Sequence, residues 1–370
     1  MKISTTFTFF VFLLGIDSGW VGATYARSLE ADRQDYATGP RPSAISVGDL
    51  NNDGFPDIVV ICEKDNSLRI YFNLGGHHFG EELIYKTGEG PAGLVVEDFN
   101  RDSYLDIATV FHDENRVAVY LNRSGTTFAE PKTYSTGNWP IALTSADFNG
   151  DANPDLAVAN SLNDNVSVLS GTGDGRFSVM VNYDVGWQPV CILSTDIDTD
   201  GDVDILTANQ GDSSFTVLSN SGDGLFSWPR TRKIGTSPYW IQGGDFTGDG
   251  LTDIVLATFE SNRLYLFPNV GEQQFGERQI IPLDARPWSF VAVDLDLDGD
   301  LDLATCNGAN SEVTLFTNDG TGQMQLAGRF QTSSFANALA ISDLDMNKTP
   351  EIIVSNKFSS NFSVFNLRIF

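Results

Sequence analysis

The sequence has few cysteines and few basic residues, and each scarcity excludes a class of protein. There are only three cysteines, Cys62, Cys191 and Cys306. A small, odd number does not make a disulfide framework, so we expect free thiols. Lysine and arginine total 22 against 49 aspartates and glutamates, and the formal net charge is −27. A field of that sign repels nucleic acid and anionic membrane surfaces and favours cations as partners.

Catalytic signatures are also scarce. The only histidines are His77, His78 and His112, all predicted to lie in loops, and no Gly-x-Ser-x-Gly elbow occurs. Adjacent histidines on a loop seldom converge on one metal, unlike a pair spaced by one helical turn. We therefore predict that the protein is not an enzyme, although carboxylate pairs for glycoside chemistry cannot be distinguished from the cation-binding acids described below.

One apolar run stands at the N-terminus. Lys2 precedes residues 7–14 (FTFFVFLL), and small residues follow, with cleavage expected after Ala23 or Ala26. The run is too short for a bilayer, which needs about 20 apolar residues. We predict a signal peptide over residues 1–26 and one exported, soluble domain over residues 27–370, with no membrane span.

A single pattern recurs seven times along the remaining chain. It reads Asp-apolar-[Asn/Asp/Thr]-x-[Asp/Asn]-x-x-x-[Asp/Glu]-[Ile/Leu], and successive copies are 49 residues apart without insertion or deletion. A period of this length means that one supersecondary unit is stacked many times. The copies begin at Asp49, Asp98, Asp147, Asp196, Asp245, Asp294 and Asp343.

Each unit is predicted to contain four short antiparallel strands. In the first unit they cover residues 42–48, 57–62, 68–72 and 82–85, separated by Gly, Asn and Pro. Seven such units indicate an all-β, seven-bladed β-propeller. The chain ends after the third strand of unit 7, residues 362–369, so we expect residues 31–39 to supply the missing outer strand and close the ring, which removes the exposed strand edges.

The acidic turn between the first two strands of each unit is a predicted calcium site. Oxygen-bearing side chains stand at positions 1, 3, 5 and 9 of a nine-residue loop, and hard oxygen ligands of this number suit Ca²⁺. Unlike an EF-hand, the loop is flanked by strands and has Val60 at its twelfth position. The candidate ligands are Asp49, Asn51, Asp53, Asp57, Asp98, Asn100, Asp102, Asp106, Asp147, Asn149, Asp151, Asp155, Asp196, Asp198, Asp200, Asp204, Asp245, Thr247, Asp249, Asp253, Asp294, Asp296, Asp298, Asp302, Asp343, Asp345, Asn347 and Glu351.

The loops are not equivalent. Loops 4 and 6 have four acids at the ligand positions, and a glycine at position 6 permits a sharp turn. Loops 2, 3 and 7 have Ser103, Ala152 and Lys348 at position 6 instead, and Lys348 adds a positive charge beside the site. Up to seven Ca²⁺ ions are expected, bound most strongly in loops 4 and 6 and most weakly in loop 7.

The repeat resembles the FG-GAP / VCBS family, which includes integrin α-subunit head domains. Phe79-Gly80 followed by Gly90-Pro91-Ala92, and the Asp-x-Asp-x-Asp-Gly-x-x-Asp loop, carry the resemblance, which covers residues 31–370. It implies a seven-bladed propeller with calcium in the loop between the first and second strands of a blade.

Function follows less directly from the sequence. We predict a secreted, extracellular recognition or adhesion module for a protein or glycan ligand. The resemblance leaves open a lyase-like enzyme acting on polysaccharides, because some relatives are lyases, and a purely structural repeat protein is the third possibility.

Aromatic residues in the links between blades mark a candidate ligand surface on the face opposite the calcium loops. Aromatics gathered around a central axis suit sugar stacking or capture of a cation, although they could instead pack between blades. Integrin α-heads receive a basic side chain at a similar ring, which points the same way. The candidates are Trp139, Trp187, Tyr239, Trp288 and Phe335.

Four sequons, at Asn122, Asn165, Asn347 and Asn361, would be exposed to glycosylation on a eukaryotic export route. Asn347 is also a candidate calcium ligand, so we expect Asn122 and Asn165 to be the glycosylated pair.

Overall fold

The first three strands of each 49-residue unit are rich in β-branched and aromatic residues, and Gly, Asn and Asp lie between them, so each unit forms a small antiparallel sheet. The computed structural model describes residues 29–178, 180–227 and 229–369, which contain strands and turns but no helix. The predicted signal peptide, residues 1–26 with its cleavage positions Ala23 and Ala26, lies outside this part of the chain.

Thirty strands make up seven four-stranded sheets and one separate pair of two-residue strands. In chain order the first half comprises β1 (Leu29–Ala37), β2 (Pro42–Gly48), β3 (Asp57–Cys62), β4 (Ser67–Tyr71), β5 (Leu83–Lys86), β6 (Pro91–Glu97), β7 (Asp106–Phe111), β8 (Arg116–Tyr120), β9 (Asn122–Arg123), β10 (Thr127–Phe128), β11 (Lys132–Ser135), β12 (Pro140–Ala146), β13 (Asp155–Asn160), β14 (Asn165–Leu169) and β15 (Val181–Asp184).

In the second half, as in the first, the chain runs through each blade from the inner strand to the second, the third and the outer strand. It comprises β16 (Pro189–Thr195), β17 (Asp204–Asn209), β18 (Ser214–Leu218), β19 (Arg230–Lys233), β20 (Pro238–Gly244), β21 (Asp253–Thr258), β22 (Arg263–Phe267), β23 (Gln279–Pro282), β24 (Ser289–Val293), β25 (Asp302–Asn307), β26 (Glu312–Thr317), β27 (Gln325–Gln331), β28 (Ala336–Ser342), β29 (Glu351–Asn356) and β30 (Asn361–Ile369).

The predicted seven-bladed propeller is confirmed, including its closure. β1 pairs antiparallel with β30 over nine residue pairs, from Leu29 with Ile369 to Ala37 with Asn361. The seventh sheet therefore has the order β1-β30-β29-β28, and the N-terminal segment supplies its outer strand. The predicted bounds of this strand and of the first-blade strands agree with the structure to within two residues.

The core consists of seven layers, one between each pair of neighbouring blades. The second strand of every blade is buried along its whole length, since both of its faces pack on other blades. One layer joins blades 7 and 1 through Ile58, Val60, Ile353 and Phe362. The three cysteines are buried in these layers as free thiols, as predicted.

The two faces of the ring are built from different turns. The acidic loops share one face with the hairpins between third and fourth strands, as the contact between His77 and Asp345 demonstrates. The turns between second and third strands share the other face with the links between blades, where the rings of His112 and Trp139 stack with their centroids 4.4 Å apart. Loops and links therefore present two separate surfaces.

Candidate functional site

The seven acidic loops share one backbone conformation, whatever residue each one has at position 6. Positions 4 and 6 have positive φ in all seven loops. Ser103, Ala152 and Lys348 adopt the left-handed conformation at position 6, with φ of 75°, 64° and 76°, although a Cβ makes it unfavourable. The departures from glycine that set these loops apart in the sequence therefore do not change the fold of the loop.

Carboxylate oxygens inside each loop maintain this shape. In every loop the position-1 aspartate accepts a hydrogen bond from the position-6 N–H, at 2.7–3.0 Å. The side-chain oxygen at position 5 accepts the N–H of position 7 in every loop as well. Alternate side chains are thus turned inward, as convergence on a cation requires.

The position-9 acid has a second role that the sequence did not reveal. In blades 1 to 6 one of its oxygens accepts the N–H of loop position 2 and the other accepts an N–H sixteen residues further on, just after the third strand. In blade 4, for example, Asp204 accepts from Ile197 at 3.0 Å and from Asn220 at 2.7 Å. We call this buried carboxylate, with its two backbone donors, the anchor.

Burial dominates the ionisation of the anchor acids. The position-9 acids of all seven blades are at most 1% exposed, and removal from water disfavours the charged form more than the backbone hydrogen bonds favour it. Burial raises the pKa of each one, to about 6 for Asp155, about 7 for Asp57, Asp204 and Asp302, and about 8 for Asp106 and Glu351, with Asp253 shifted in the same direction. A bound cation would favour the ionised form and oppose this shift.

In five of the seven blades, an asparagine beside the anchor joins the blade to the one before it. Asn122 donates from Nδ2 to the carbonyl oxygens of Leu105, in its own blade, and Leu50, in the preceding loop, at 3.0 and 2.8 Å. Asn73, Asn220, Asn269 and Asn318 make the same contact with the preceding loop. The residue at this position in blade 3 is Gly171, which makes no side-chain contact. The anchor and this contact between blades hold the acidic loops in position.

The structure brings acids together most closely in loops 4, 6 and 7. One ligand atom from each of three residues lies within 4.8 Å of the others in the groups Asp196–Asp198–Asp204, Asp294–Asp296–Asp302 and His77–Asp345–Glu351. Two oxygens bound to one Ca²⁺ are at most about 5 Å apart, because Ca–O distances are 2.3–2.6 Å. Positions 1, 3 and 9 converge in loops 4 and 6, whereas the position-5 carboxylates Asp200 and Asp298 lie outside these groups.

The residue at position 3 separates the loops into two kinds. In loops 1 to 3 it is asparagine, and its oxygen already accepts the N–H of position 5 at 2.9 Å. In loop 4 the buried oxygens Asp196 Oδ1 and Asp198 Oδ1 have no hydrogen-bond partner among the described residues. Buried oxygens without donors indicate a missing positive ligand, so loop 4 fits a cation better than loops 1 to 3 do.

A cavity of about 460 Å³ lies on the central axis, lined by the inner strands of all seven blades. Tyr239, Trp288 and Phe335 line it and form a continuous aromatic cluster: the Tyr239 and Trp288 ring centroids are 5.2 Å apart, and those of Trp288 and Phe335 are 5.1 Å apart. These three predicted surface residues are partly buried against one another.

Trp139 and Trp187 lie on the same face and are exposed. Their exposed fractions are 39% and 65%. Trp139 also has a left-handed backbone, with φ of 57°, at a position where blade 2 has Gly90. Gln188 and Phe335 have positive φ at the same position of their blades, so this conformation belongs to the repeat and is not special to Trp139.

One family model matches the repeat of this chain. The model for the FG-GAP-like repeat covers residues 49–109, 98–158, 147–207, 196–250 and 245–305, which together exceed half of the chain. The chain belongs to the FG-GAP-like repeat family. No match was found among curated proteins.

Several solved structures share the fold of this chain at low sequence identity. A BBS1N structure in complex with ARL6DN has a TM-score of 0.66 at 13% identity, covering 93% of this chain and 97% of that one. A lectin from Agrocybe aegerita, described as recognising non-reducing terminal N-acetylglucosamine, has a TM-score of 0.60 at 20% identity, with 90% and 87% covered. A Lactobacillus plantarum protein has a TM-score of 0.60 at 15% identity, with 80% and 86% covered. At these identities the likeness concerns the fold alone.

The glycosylation prediction for Asn122 is wrong. Its side chain is 3% exposed, and the nitrogen that would bear a glycan donates to two backbone carbonyls. A glycan there is incompatible with the folded FG-GAP-like repeat. Asn165 is half-buried and stays a prediction, while Asn347 is exposed and Asn361 half-buried. No described residue lies in a helix that could cross a membrane.

The contact between blades predicts a stability effect. Asn122→Ala leaves two buried carbonyls without their donor, which should cost about 1–3 kcal/mol and lower the melting temperature. Asn138→Ala, at an exposed position, is the control and should change the melt little. Equal melting temperatures for the two variants, measured by circular dichroism, would show that this contact is dispensable.

Proposed function

We propose that this protein is a secreted, non-enzymatic recognition module that binds Ca²⁺ in its acidic loops and a protein or glycan ligand on the opposite face. The observation that carries the ligand proposal is the pair of exposed tryptophans, Trp139 and Trp187, beside the central opening. The apolar N-terminal run with small residues after it supports export.

The tryptophans support recognition because their exposure has no structural benefit. The Trp187 carbonyl accepts the N–H of Gly211 at 2.9 Å, while 65% of the residue stays exposed to solvent. The Trp139 ring is backed on one side by His112. Large exposed aromatic faces on a rigid frame suit stacking on sugar rings or insertion into a protein surface.

Calcium is supported by the donor set and by its geometry. The converging atoms of loops 4 and 6 are all carboxylate oxygens, which are Ca²⁺ ligands rather than ligands of softer metals. When bound, Ca²⁺ would supply positive charge against the buried acids, so we propose that loops 4 and 6 bind most strongly. Asp294, Asp296 and Asp302 are 6%, 4% and 0% exposed. Because these loop-6 carboxylates are so buried, a bound positive charge would stabilise them most.

Two structural neighbours have binding roles of the proposed kind. The Agrocybe aegerita lectin recognises a terminal sugar, and BBS1N was solved in complex with ARL6DN. Both ligand classes are therefore compatible with a propeller of this shape, and the exposed tryptophans favour a glycan here.

Removal of calcium is expected to destabilise the fold. A site filled at a hundredfold excess over Kd contributes about 2.7 kcal/mol, so EDTA should lower the melting temperature and added Ca²⁺ should restore it. Asp198→Ala, in loop 4, should lower the number of Ca²⁺ ions bound per chain by one in equilibrium dialysis.

Asp223→Ala provides the matched control. It removes the same charge from an exposed hairpin on the same face, outside the loops, and should leave the calcium count unchanged. A melt that is unaffected by verified metal removal would refute the calcium proposal.

Loss of either tryptophan is expected to weaken ligand binding without unfolding the protein. A glycan array in Ca²⁺ identifies the ligand first. Trp187→Ala should then cost about 2 kcal/mol or more, roughly a 30-fold rise in Kd, if it is a binding hot spot. Trp139→Ala should behave alike.

Leu225→Ala is the control for this experiment, since Leu225 is 61% exposed in a hairpin on the loop face. Its binding should match that of the unmodified protein. Unchanged affinity in both tryptophan variants, or loss of several degrees of melting temperature, would place the ligand site elsewhere.

A further inference from the structure

Blade 7 breaks the anchor pattern that the other six blades share. Glu351 takes the position of the anchor aspartate, and its Oε2 accepts the N–H of Leu344 at 2.7 Å. Its Oε1 has no hydrogen-bond partner within the described chain, although the residue is 0% exposed. The second donor is lost because β30 continues as a strand to Ile369, whereas the third strand of other blades ends and turns back.

A histidine from blade 1 faces this oxygen. His77 Nε2 lies 3.3 Å from Glu351 Oε1 and 3.8 Å from Asp345 Oδ2 in loop 7. The Nε2 atom is also buried without a hydrogen bond among the residues described, so the two groups face each other without being aligned as donor and acceptor. Two buried polar atoms that face each other without a hydrogen bond indicate a ligand bound by both.

The position of His77 in the repeat is unusual. The equivalent residues of the next five blades are Thr126, Gly175, Gly224, Gln273 and Gly322. His77 and Gln273 both have positive φ, 62° and 57°, where glycine is favoured. The Gln273 amide donates to Asp198 in loop 4, which demonstrates that a side chain at this position reaches position 3 of the preceding loop.

The backbone of His77 is held in place from the neighbouring blade. The Tyr36 hydroxyl, from β1 in blade 7, donates to the His77 carbonyl oxygen at 2.5 Å. The strand that closes the ring therefore also holds the backbone from which the imidazole reaches loop 7.

The donor set differs from that of the other loops. Imidazole nitrogen with carboxylate oxygens suits Zn²⁺ and similar transition metals, whereas Ca²⁺ takes oxygen ligands. Bonds of about 2.0–2.1 Å in tetrahedral geometry place ligand atoms roughly 3.3 Å apart, close to the 3.3 and 3.8 Å found here. Asn347 at position 5 and Lys348 at position 6 also make this loop the least suited to calcium.

We propose that His77 Nε2, Asp345 and Glu351 form a transition-metal site, filled best by Zn²⁺, which distinguishes loop 7 from the calcium loops. Three protein ligands leave a fourth position for water. Because the ligands come from blades 1 and 7, the metal would link the first blade of the ring to the last.

The test is metal counting by native mass spectrometry on the full chain. The protein is stripped with EDTA and then given excess Ca²⁺ with two equivalents of Zn²⁺. One zinc per chain is expected beside the bound calcium. His77→Gly, which restores the residue found in blades 3, 4 and 6, should weaken zinc binding by at least the roughly 10–100-fold that loss of an outer-shell partner costs.

Two further variants make the result decisive. His78→Gln changes the exposed neighbouring histidine and should keep the zinc. Glu351→Gln should lose zinc like His77→Gly, and the calcium-dependent melt of His77→Gly should stay intact, which separates this site from the calcium loops.

The proposal fails if the unmodified protein binds no zinc. It also fails if His77→Gly binds zinc as tightly as the unmodified protein, or if excess Ca²⁺ displaces the zinc.

Discussion

The fold depends on a buried carboxylate at position 9 of each acidic loop. In six blades this carboxylate accepts two backbone N–H groups, one from the loop and one from the end of the third strand. The adjoining asparagine then binds the preceding loop in most blades. Such donors offset the cost of burying a carboxylate that is at most 1% exposed, and where the asparagine is present the arrangement ties a loop both to its own blade and to the next.

Loop shape and cation binding are therefore separable. All seven loops have the same pair of left-handed residues, even where Ser103, Ala152 or Lys348 replaces glycine. What differs is the bonding of the side-chain oxygens: those of the asparagines in loops 1 to 3 are already hydrogen-bonded, whereas Asp196 and Asp198 in loop 4 retain unpaired oxygens among the described residues. One scaffold can thus give sites of different affinity and, in loop 7, a different donor set.

The sequence predicted the blade number, the strand pattern and the ring closure, since an exact 49-residue period and its alternating strands are local signals. It could not predict which side chains of distant residues meet. The Asn122 side chain reaches Leu50, 72 residues away, so an apparent sequon is a buried structural amide. His77 meets Glu351 only because the ring closes, so a histidine that seemed to lack partners lies over loop 7. The partial burial of Tyr239, Trp288 and Phe335 likewise depends on packing around the axis.

Hydrogen exchange of individual amides, followed by NMR in Ca²⁺ and in EDTA, tests most directly whether the anchor or the cation holds the loops. In loop 4 the Ile197 and Asn220 amides donate to the anchor Asp204, whereas the Gly201 amide donates to the position-1 carboxylate. If the anchor holds the fold, Ile197 and Asn220 stay protected in EDTA while Gly201 exchanges faster. Equal loss of protection at all three amides would contradict this account and make the cation the organising element.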